Sequence, residues 1–538
     1  MHLSVSEHYR QLILNLLLTI AVVCSLFLWQ GHYGLNLADE GFLWYGAQRV
    51  QQGEVPIRDF MAYDPGRYYW SALWMNLESS HGIMALRRSL AIFQALGLGV
   101  SVELIAGLLP KSASSQSKTF QSKTFFLAIA ALVLGLWMFP FYKVIDTTLS
   151  ILLVAALAFL AQRPTYYSYF FAGIVVGLVA VFGRNHGVYG VAAGLGVTVY
   201  LALTRRSWVH FSKACLSSAI GVLNGYLPIL FMLALVKDFA PAFVESVRFI
   251  LFELKSTNLP LPVPWPWRVP FAELSGFDAL VKVLVGCFFL AVALYGVFAI
   301  PWVLWQGVVR RKPVAPLEVA TAFTALPYAH YAFSRADFEH LALGAFPLLI
   351  VCFAVLARQT GRVKWVCLSV FALASLLTVA PHHIGWLLGQ QCRLGQCTEV
   401  EVVGDRLTVH QGTAAEIQLL QSLAAEFAPG DPSELGGANR PFIATPFWPG
   451  APALLERKSP MWSIYALFPR TEAFQRAEIE RIKAADPGFA VVLDLPLDGR
   501  DELRFSQTNP LIYQYIQTAF EPVSNQPPNS PYQLFKRK

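Results

Sequence analysis

Long apolar runs separated by short polar breaks fill the first 389 residues, and nothing constrains the fold more. A helix needs ~20 apolar residues to cross a bilayer. Eleven segments reach or approach that length: roughly 11–30, 83–109, 124–139, 145–162, 167–183, 187–204, 214–236, 278–305, 315–333, 341–358 and 365–389. Backbone polar groups in hydrocarbon must be satisfied within the segment. The pattern therefore predicts a polytopic α-helical membrane protein with about eleven transmembrane helices. Charged residues are only 14% of the chain, against ~25% in an average soluble domain, which argues against a soluble protein, and a hydrophobic content of 55% excludes a disordered one. The first run is long, and bulky Trp29-Gln30-Gly31-His32 follows it. It reads as an uncleaved span rather than a signal peptide.

Charge then sets sidedness. One set of flanks carries Arg10, Lys111, Lys118, Lys123, Arg163, Arg205, Arg206, Lys213, Arg310, Arg311, Lys312, Arg358, Arg362 and Lys364. The opposite flanks hold most of the acids, among them Asp39, Glu40, Asp64, Asp146, Asp337 and Glu339. Lys and Arg favour the cytoplasmic side. The N-terminus is expected inside and residues 390–538 outside. Basic excess spread between apolar runs argues against nucleic acid as a partner.

The tail predicts a small extracytoplasmic α/β domain. Helices are expected over 413–427, 471–485 and 510–519, strands over Arg440–Thr445 and Phe489–Leu493, and a loop over 522–532. Cys392 and Cys397 stand outside the apolar runs and could pair if that side is oxidising. Lys111–Lys123, with SKTF at 117–120 and 122–125, reads as a polar cytoplasmic linker. The domain division expected is 1–389, with an outer loop 31–82, and 390–538.

That loop opens Asp39-Glu40-Gly41 and then runs with helical period through Phe42–Arg49. Rings and charges alternate, as in a segment lying along a membrane surface. A carboxylate at the bilayer rim is partly desolvated, which favours its action as a base. Asp39 also reads as a helix N-cap, and so does Asp146 before the fourth span. Cations on the outer flanks are few. Arg184 and His186 lie in one outer turn, Arg335 and His340 in another. Guanidinium and imidazole groups suit a phosphate. The alternative is pairing, of Arg335 with Asp337 or Glu339 and of Arg184 with a first-loop acid. Arg87 and Arg88 read as snorkelling to headgroups. Trp265-Pro266-Trp267 suits a membrane interface, and His382 and His383 read as satisfied interface histidines. No zinc-protease, serine-hydrolase or nucleotide-binding motif is present.

An uncleaved first span, Asp39-Glu40-Gly41, the segment Tyr63-Asp64-Pro65-Gly66-Arg67-Tyr68-Tyr69-Trp70 and a second outer acid, Asp146, together resemble the GT-C superfamily of integral-membrane glycosyltransferases. The nearest look is to the branch of protein O-mannosyltransferases and the lipid A aminoarabinose transferase. That branch commonly has Pro-Pro before the Tyr pair, where Pro65-Gly66-Arg67 stands here. The resemblance implies a catalytic first-loop acid at Asp39, aided by Glu40 and Asp146. It implies a polyprenyl-phosphate sugar as donor, its phosphate met by Arg184, His186, Arg335 and His340. Arg58, Asp64, Tyr68 and Tyr69 would position the loop or the acceptor. An inverting displacement onto a hydroxyl of a glycan, lipid or protein is expected at the outer face of a bacterial inner membrane, in cell-envelope glycan biosynthesis. A lipid monophosphate requires no cofactor, although paired acids leave a divalent metal possible. The competing readings are a multi-pass transporter or lipid-linked sugar flippase, and a non-catalytic assembly subunit. The tail is expected to cover the site mouth and select the acceptor.

Overall fold

Each of the eleven apolar segments is helical in the computed structural model, which describes residues 5–109, 117–206, 208–254, 259–429, 440–524 and 531–538. By length and composition, six helices among the described residues can cross a membrane: Tyr9–Gln30, Ile83–Ala106, Phe141–Gln162, Arg184–Arg205, Gly276–Val309 and Gly361–His382. Two further segments are bent pairs, Phe211–Gly225 with Leu227–Leu235 at 57° and Phe338–Gly344 with Phe346–Arg358 at 55°. Proline explains both breaks. Pro228 and Pro347 carry no N–H for the preceding turn, and their rings crowd its carbonyl. The apolar helix Tyr166–Phe182 is shorter, as is the apolar stretch Gln121–Trp137 of the helix Ser117–Trp137. Pro316–Ser334 is helical and largely buried, but it is not apolar enough to join the six. Among the described residues, length and composition alone thus support six of the eleven expected spans, or up to eight if each bent pair is one span.

The chain forms two compact units. The first comprises Met1–Gly31, Leu90–Ala234 and Asn258–Leu387; the second comprises His32–Ser89, Leu235–Thr257 and Leu388–Lys538. The first loop therefore groups with the tail, where the sequence had placed it in the membrane module.

In the first unit, small residues let helices touch. A Cβ added to Gly173 or Gly177 would lie 2.3 Å from the Ser218 carbonyl oxygen or 2.2 Å from that of Val222. From the other side, Gly221 and Gly225 meet the carbonyls of Phe170 and Ile174 as closely. Two facing small-xxx-small stripes thus bring the Tyr166–Phe182 and Trp208–Gly225 helices into backbone contact. The mid-span charge Glu103 accepts a bond from Asn15 Nδ2 at 2.9 Å. His383 is buried, with Nδ1 2.9 Å from Gln30 Oε1 and Nε2 3.0 Å from the Leu136 carbonyl. His382 stacks on Phe338. Lys118 and Lys123 fall within a helix, Ser117–Trp137, which replaces the end of the expected linker; residues 110–116 lie outside the described residues.

Among the described residues, the second unit holds two sheets. Strands β1 (Cys397–Val402) and β2 (Asp405–His410) form an antiparallel hairpin, and a Cys392–Cys397 disulfide closes the turn before it. Strands β3 (Ile443–Thr445), β4 (Phe489–Val492), β5 (Phe520–Pro522) and β6 (Gln533–Arg537) make a second sheet of order β3-β4-β6-β5. Only the β3–β4 pairing is parallel. All four β4 residues are buried, as a strand covered on both faces should be. Ile443, Val492, Ile512, Ile516, Phe520 and Phe535 share one apolar core. The expected tail helices are present as Gln411–Phe427, Glu472–Ala485 and Pro510–Ala519. Thr471 caps the second by accepting the Phe474 N–H, and left-handed Asp486 ends it. The loop expected over 522–532 is bounded by β5 and β6, and residues 525–530 lie outside the described residues.

Candidate functional site

The outer-loop acids and cations fall into separate clusters. In the second unit, Asp39 opens the helix Asp39–Gln51, one residue after its N-cap, Ala38. Asp39 is half-buried and lies in the first turn, where the helix dipole favours an anion. The N-cap role expected for it is therefore not the one it holds. Every residue from Glu40 to Arg49 is buried, so this is a core helix and not one lying on a membrane surface. Trp44 Nε1 and Gln48 Nε2 both donate to the His81 carbonyl at 2.8 Å. Tyr45 Oη accepts the Ser459 N–H at 3.0 Å. Gly41 meets Gly450 backbone to backbone, because a Cβ there would lie 2.6 Å from Gly450 Cα.

Glu40 has a different task from Asp39. Its carboxylate binds the Arg87 guanidinium bidentately, with Nε at 2.6 Å and Nη2 at 2.9 Å. Arg87 also donates to the Gly34 carbonyl at 2.8 Å. Both side chains are 1% exposed. Two corrections follow: Arg87 does not snorkel, and Glu40 is enclosed away from any substrate. Arg88 does reach outward, to Glu78.

Tyr68 is fully buried against Phe60, with Gly46 beneath its ring. Its hydroxyl accepts the Tyr63 N–H at 3.0 Å, and burial pushes its phenol far above the usual range. It is therefore a core residue and not an acceptor-positioning one. Tyr69 is exposed. Asp64 is buried at the N-cap of the Pro65–Leu77 helix. Arg58 pairs with Asp59 at 2.7 Å and donates to the Lys237 carbonyl at 3.1 Å. Burial alone would raise the Asp59 carboxyl, but the Arg58 bond holds it below the usual range.

In the first unit, three helices meet at a buried polar chain. His186 Nε2 lies 2.8 Å from Asp146 Oδ1, and its Nδ1 lies 2.7 Å from Tyr328 Oη. His186 is 0% and Asp146 3% exposed. With both ring nitrogens engaged, His186 has no donor left for a phosphate, which corrects that expectation. Asp146 lies inside the first turn of its helix rather than capping it. Its bond to His186 commits it to the interior. Tyr331 is edge-on to the His186 ring at 5.4 Å and to the His340 ring at 5.9 Å.

The Arg335–His340 turn adjoins this column. Asp337 Oδ2 accepts from Arg335 Nε at 2.8 Å, and Oδ1 lies 2.8 Å from His340 Nδ1. The pairing of Arg335 with Asp337 is one the sequence had named. Burial alone would raise the Asp337 carboxyl, but the His340 and Arg335 contacts hold it below the usual range. Glu339 is bound by Lys143 Nζ at 3.0 Å and by Tyr142 Oη at 3.2 Å. Arg184, half-buried, is the first residue of the helix that carries His186. Tyr328 and Tyr331 were missed from sequence; their signal is a pair of polar rings one turn apart in Tyr328-Ala329-His330-Tyr331. No group of three or more His, Cys, Asp or Glu among the described residues could hold a metal ion.

No family model matches the chain, and no curated protein matches it. Some solved structures of oligosaccharyltransferase from Archaeoglobus fulgidus are similar in backbone path. The apo form is 12% identical over 96% of this chain and 73% of that one, with a TM-score of 0.44. A complex with an inhibitory peptide and a dolichol-phosphate is 11% identical over 91% and 70%, with a TM-score of 0.43. A form tethered to an acceptor peptide is 10% identical over 97% and 74%, with a TM-score of 0.39. These scores describe a loose likeness.

Proposed function

We propose that this chain is an integral-membrane glycosyltransferase of GT-C type, moving a sugar from a polyprenyl phosphate to a hydroxyl acceptor outside the cytoplasm. The supporting observation is a difference in burial among the three acids. Glu40, paired with Arg87, and Asp146, paired with His186, are both buried. Asp39 is half-buried in the first turn of its helix. In this reading Asp39 takes the proton of the acceptor hydroxyl, whose oxygen attacks the anomeric carbon in line and inverts it. Arg184, Arg335 and His340 meet the phosphate that leaves. The branch, that of the O-mannosyltransferases and the aminoarabinose transferase, belongs to the same proposal, as does the orientation with the N-terminus inside.

The test is a membrane assay with a panel of labelled lipid-linked sugars. Asp39→Asn should fold like the wild type and lose ~10²-fold or more of its transfer rate. Full activity in that variant removes Asp39 from the mechanism. The two bent helix pairs favour a second reading, a transporter or flippase, because broken helices frame many transport sites. Uptake or flipping by protein in liposomes, with no transfer of any panel sugar, selects that reading.

A further inference from the structure

We propose that Asp337 is a positioning residue that assembles Arg335 and His340 into a two-residue clamp for the phosphate of a lipid-linked donor. The inference rests on the transferase reading and deepens it by assigning the group that sets the clamp's geometry. One carboxylate bonds both residues. Its Oδ1 accepts the His340 backbone N–H at 2.9 Å and faces Nδ1 of the same residue at 2.8 Å. Its Oδ2 accepts from Arg335 Nε at 2.8 Å. The backbone bond fixes where the imidazole starts, and the side-chain bond fixes how it turns.

The consequence for His340 is chemical. With Nδ1–H directed at the carboxylate, Nε2 is the atom left for a ligand, and it has no hydrogen-bond partner among the described residues. The side chain is 9% exposed, and the Tyr331 ring meets it edge-on, so the imidazole is held rather than mobile. Arg335 is tied down at Nη1 by the Leu259 carbonyl at 3.1 Å. The other carboxylate of the turn, Glu339, is turned to Lys143 and Tyr142. Asp337 and Tyr331 thus contact His340 directly, and Arg335 reaches it through the shared carboxylate.

In the transfer, the bond between the anomeric carbon and the phosphate oxygen breaks, and its electron pair stays on that oxygen. A new bond forms to the acceptor oxygen, whose proton goes to Asp39. The lipid phosphate thereby gains one negative charge. A guanidinium and an imidazole, both held on one side by the same carboxylate, match that gain. Without Asp337, both side chains lose their common anchor.

The experiment uses the full chain in detergent or nanodiscs and measures binding of farnesyl phosphate, farnesol and inorganic phosphate. Asp337→Asn should weaken farnesyl phosphate roughly ten-fold or more, the range for a lost hydrogen bond to a charged group. Farnesol should bind as in the wild type. His340→Gln should show the same selective loss, and Asp337→Glu should recover part of it. In the transfer assay the Asp337→Asn loss should fall mainly on the donor KM. Inorganic phosphate should bind weakly; if it binds as tightly as farnesyl phosphate, the site serves a free anion and the proposal is overturned. Farnesyl phosphate binding unchanged in Asp337→Asn, or farnesol weakened equally, also overturns it. If Asp39→Asn abolishes transfer while Asp337→Asn binds normally, the clamp fails and the transferase reading stands. A wild type that neither binds farnesyl phosphate nor transfers any sugar removes both.

Discussion

Asp39 and Glu40 are neighbours in sequence with opposite expected roles, and replacing each in turn separates them. Glu40→Gln keeps the shape but removes the charge facing Arg87. The guanidinium is 1% exposed and sits 2.6 Å from the carboxylate, so water cannot replace the lost partner. Breaking a buried pair on one side costs ~3–5 kcal/mol. A unit of this size loses ~2–4 °C of Tm per kcal/mol, so the midpoint should fall by roughly 6–20 °C. The double variant Glu40→Leu with Arg87→Met removes both charges and should regain most of that loss, because a buried ion pair is often matched by apolar residues of similar volume. The assay is thermal unfolding of the purified chain in detergent, followed by transfer activity per folded molecule. Glu40→Gln at low temperature should transfer at close to the wild-type rate, whereas Asp39→Asn should unfold normally and fail to transfer. A Glu40→Gln protein with wild-type Tm and no activity would refute the assignment and return Glu40 to the catalytic set.

Three further outcomes follow from the geometry. Tyr328→Phe removes the hydroxyl at 2.7 Å from His186 Nδ1 and leaves a buried nitrogen unsatisfied, at a cost of ~1–3 kcal/mol; an unchanged unfolding midpoint would contradict the buried chain. Gly41→Ala places a methyl 2.6 Å from the Gly450 backbone, and overpacking of this kind should destabilise by ~1–3 kcal/mol; wild-type stability would mean that the two backbones are not in contact. Burial alone would raise the Glu54 carboxyl, but bonds from Arg49 and Lys458 hold it below the usual range. A depressed carboxylate contributes stability that is present above the unfolded value, ~4.3, and is lost as pH falls through the folded value. Acid should therefore lower the wild-type Tm more steeply below about pH 4 than that of Glu54→Gln, and parallel curves would refute the contribution.

What could be read from sequence, and what could not, divides along one physical line. Apolar periodicity is local, and a backbone in hydrocarbon has few choices, so every apolar segment named from the sequence is a helix. Length was legible and breaks were not: Pro228 and Pro347 bend two segments that hydropathy treats as continuous. The tail helices were legible for the same local reason, whereas β5 and β6 flank a Pro- and Asn-rich stretch, where turn residues masked the short strands between which it runs.

Side-chain roles are set by partners far along the chain, and periodicity says nothing about them. Glu40 and Asp39 are equally acidic and adjacent, yet one is spent on an arginine 47 residues away. His186 looked like a phosphate ligand until Asp146, 40 residues before it, and Tyr328, 142 residues after it, took both its nitrogens. Arg335 and His340 are the informative contrast. Their common partner, Asp337, lies within three residues of each, so the cluster could be named from sequence alone. Which of its members orients the others depends on the two carboxylate oxygens facing different side chains, and only coordinates carry that. A charge placed in a short turn can be read as a candidate from its neighbours; a charge placed in a packed helix must be assumed spoken for until its distant partners are known.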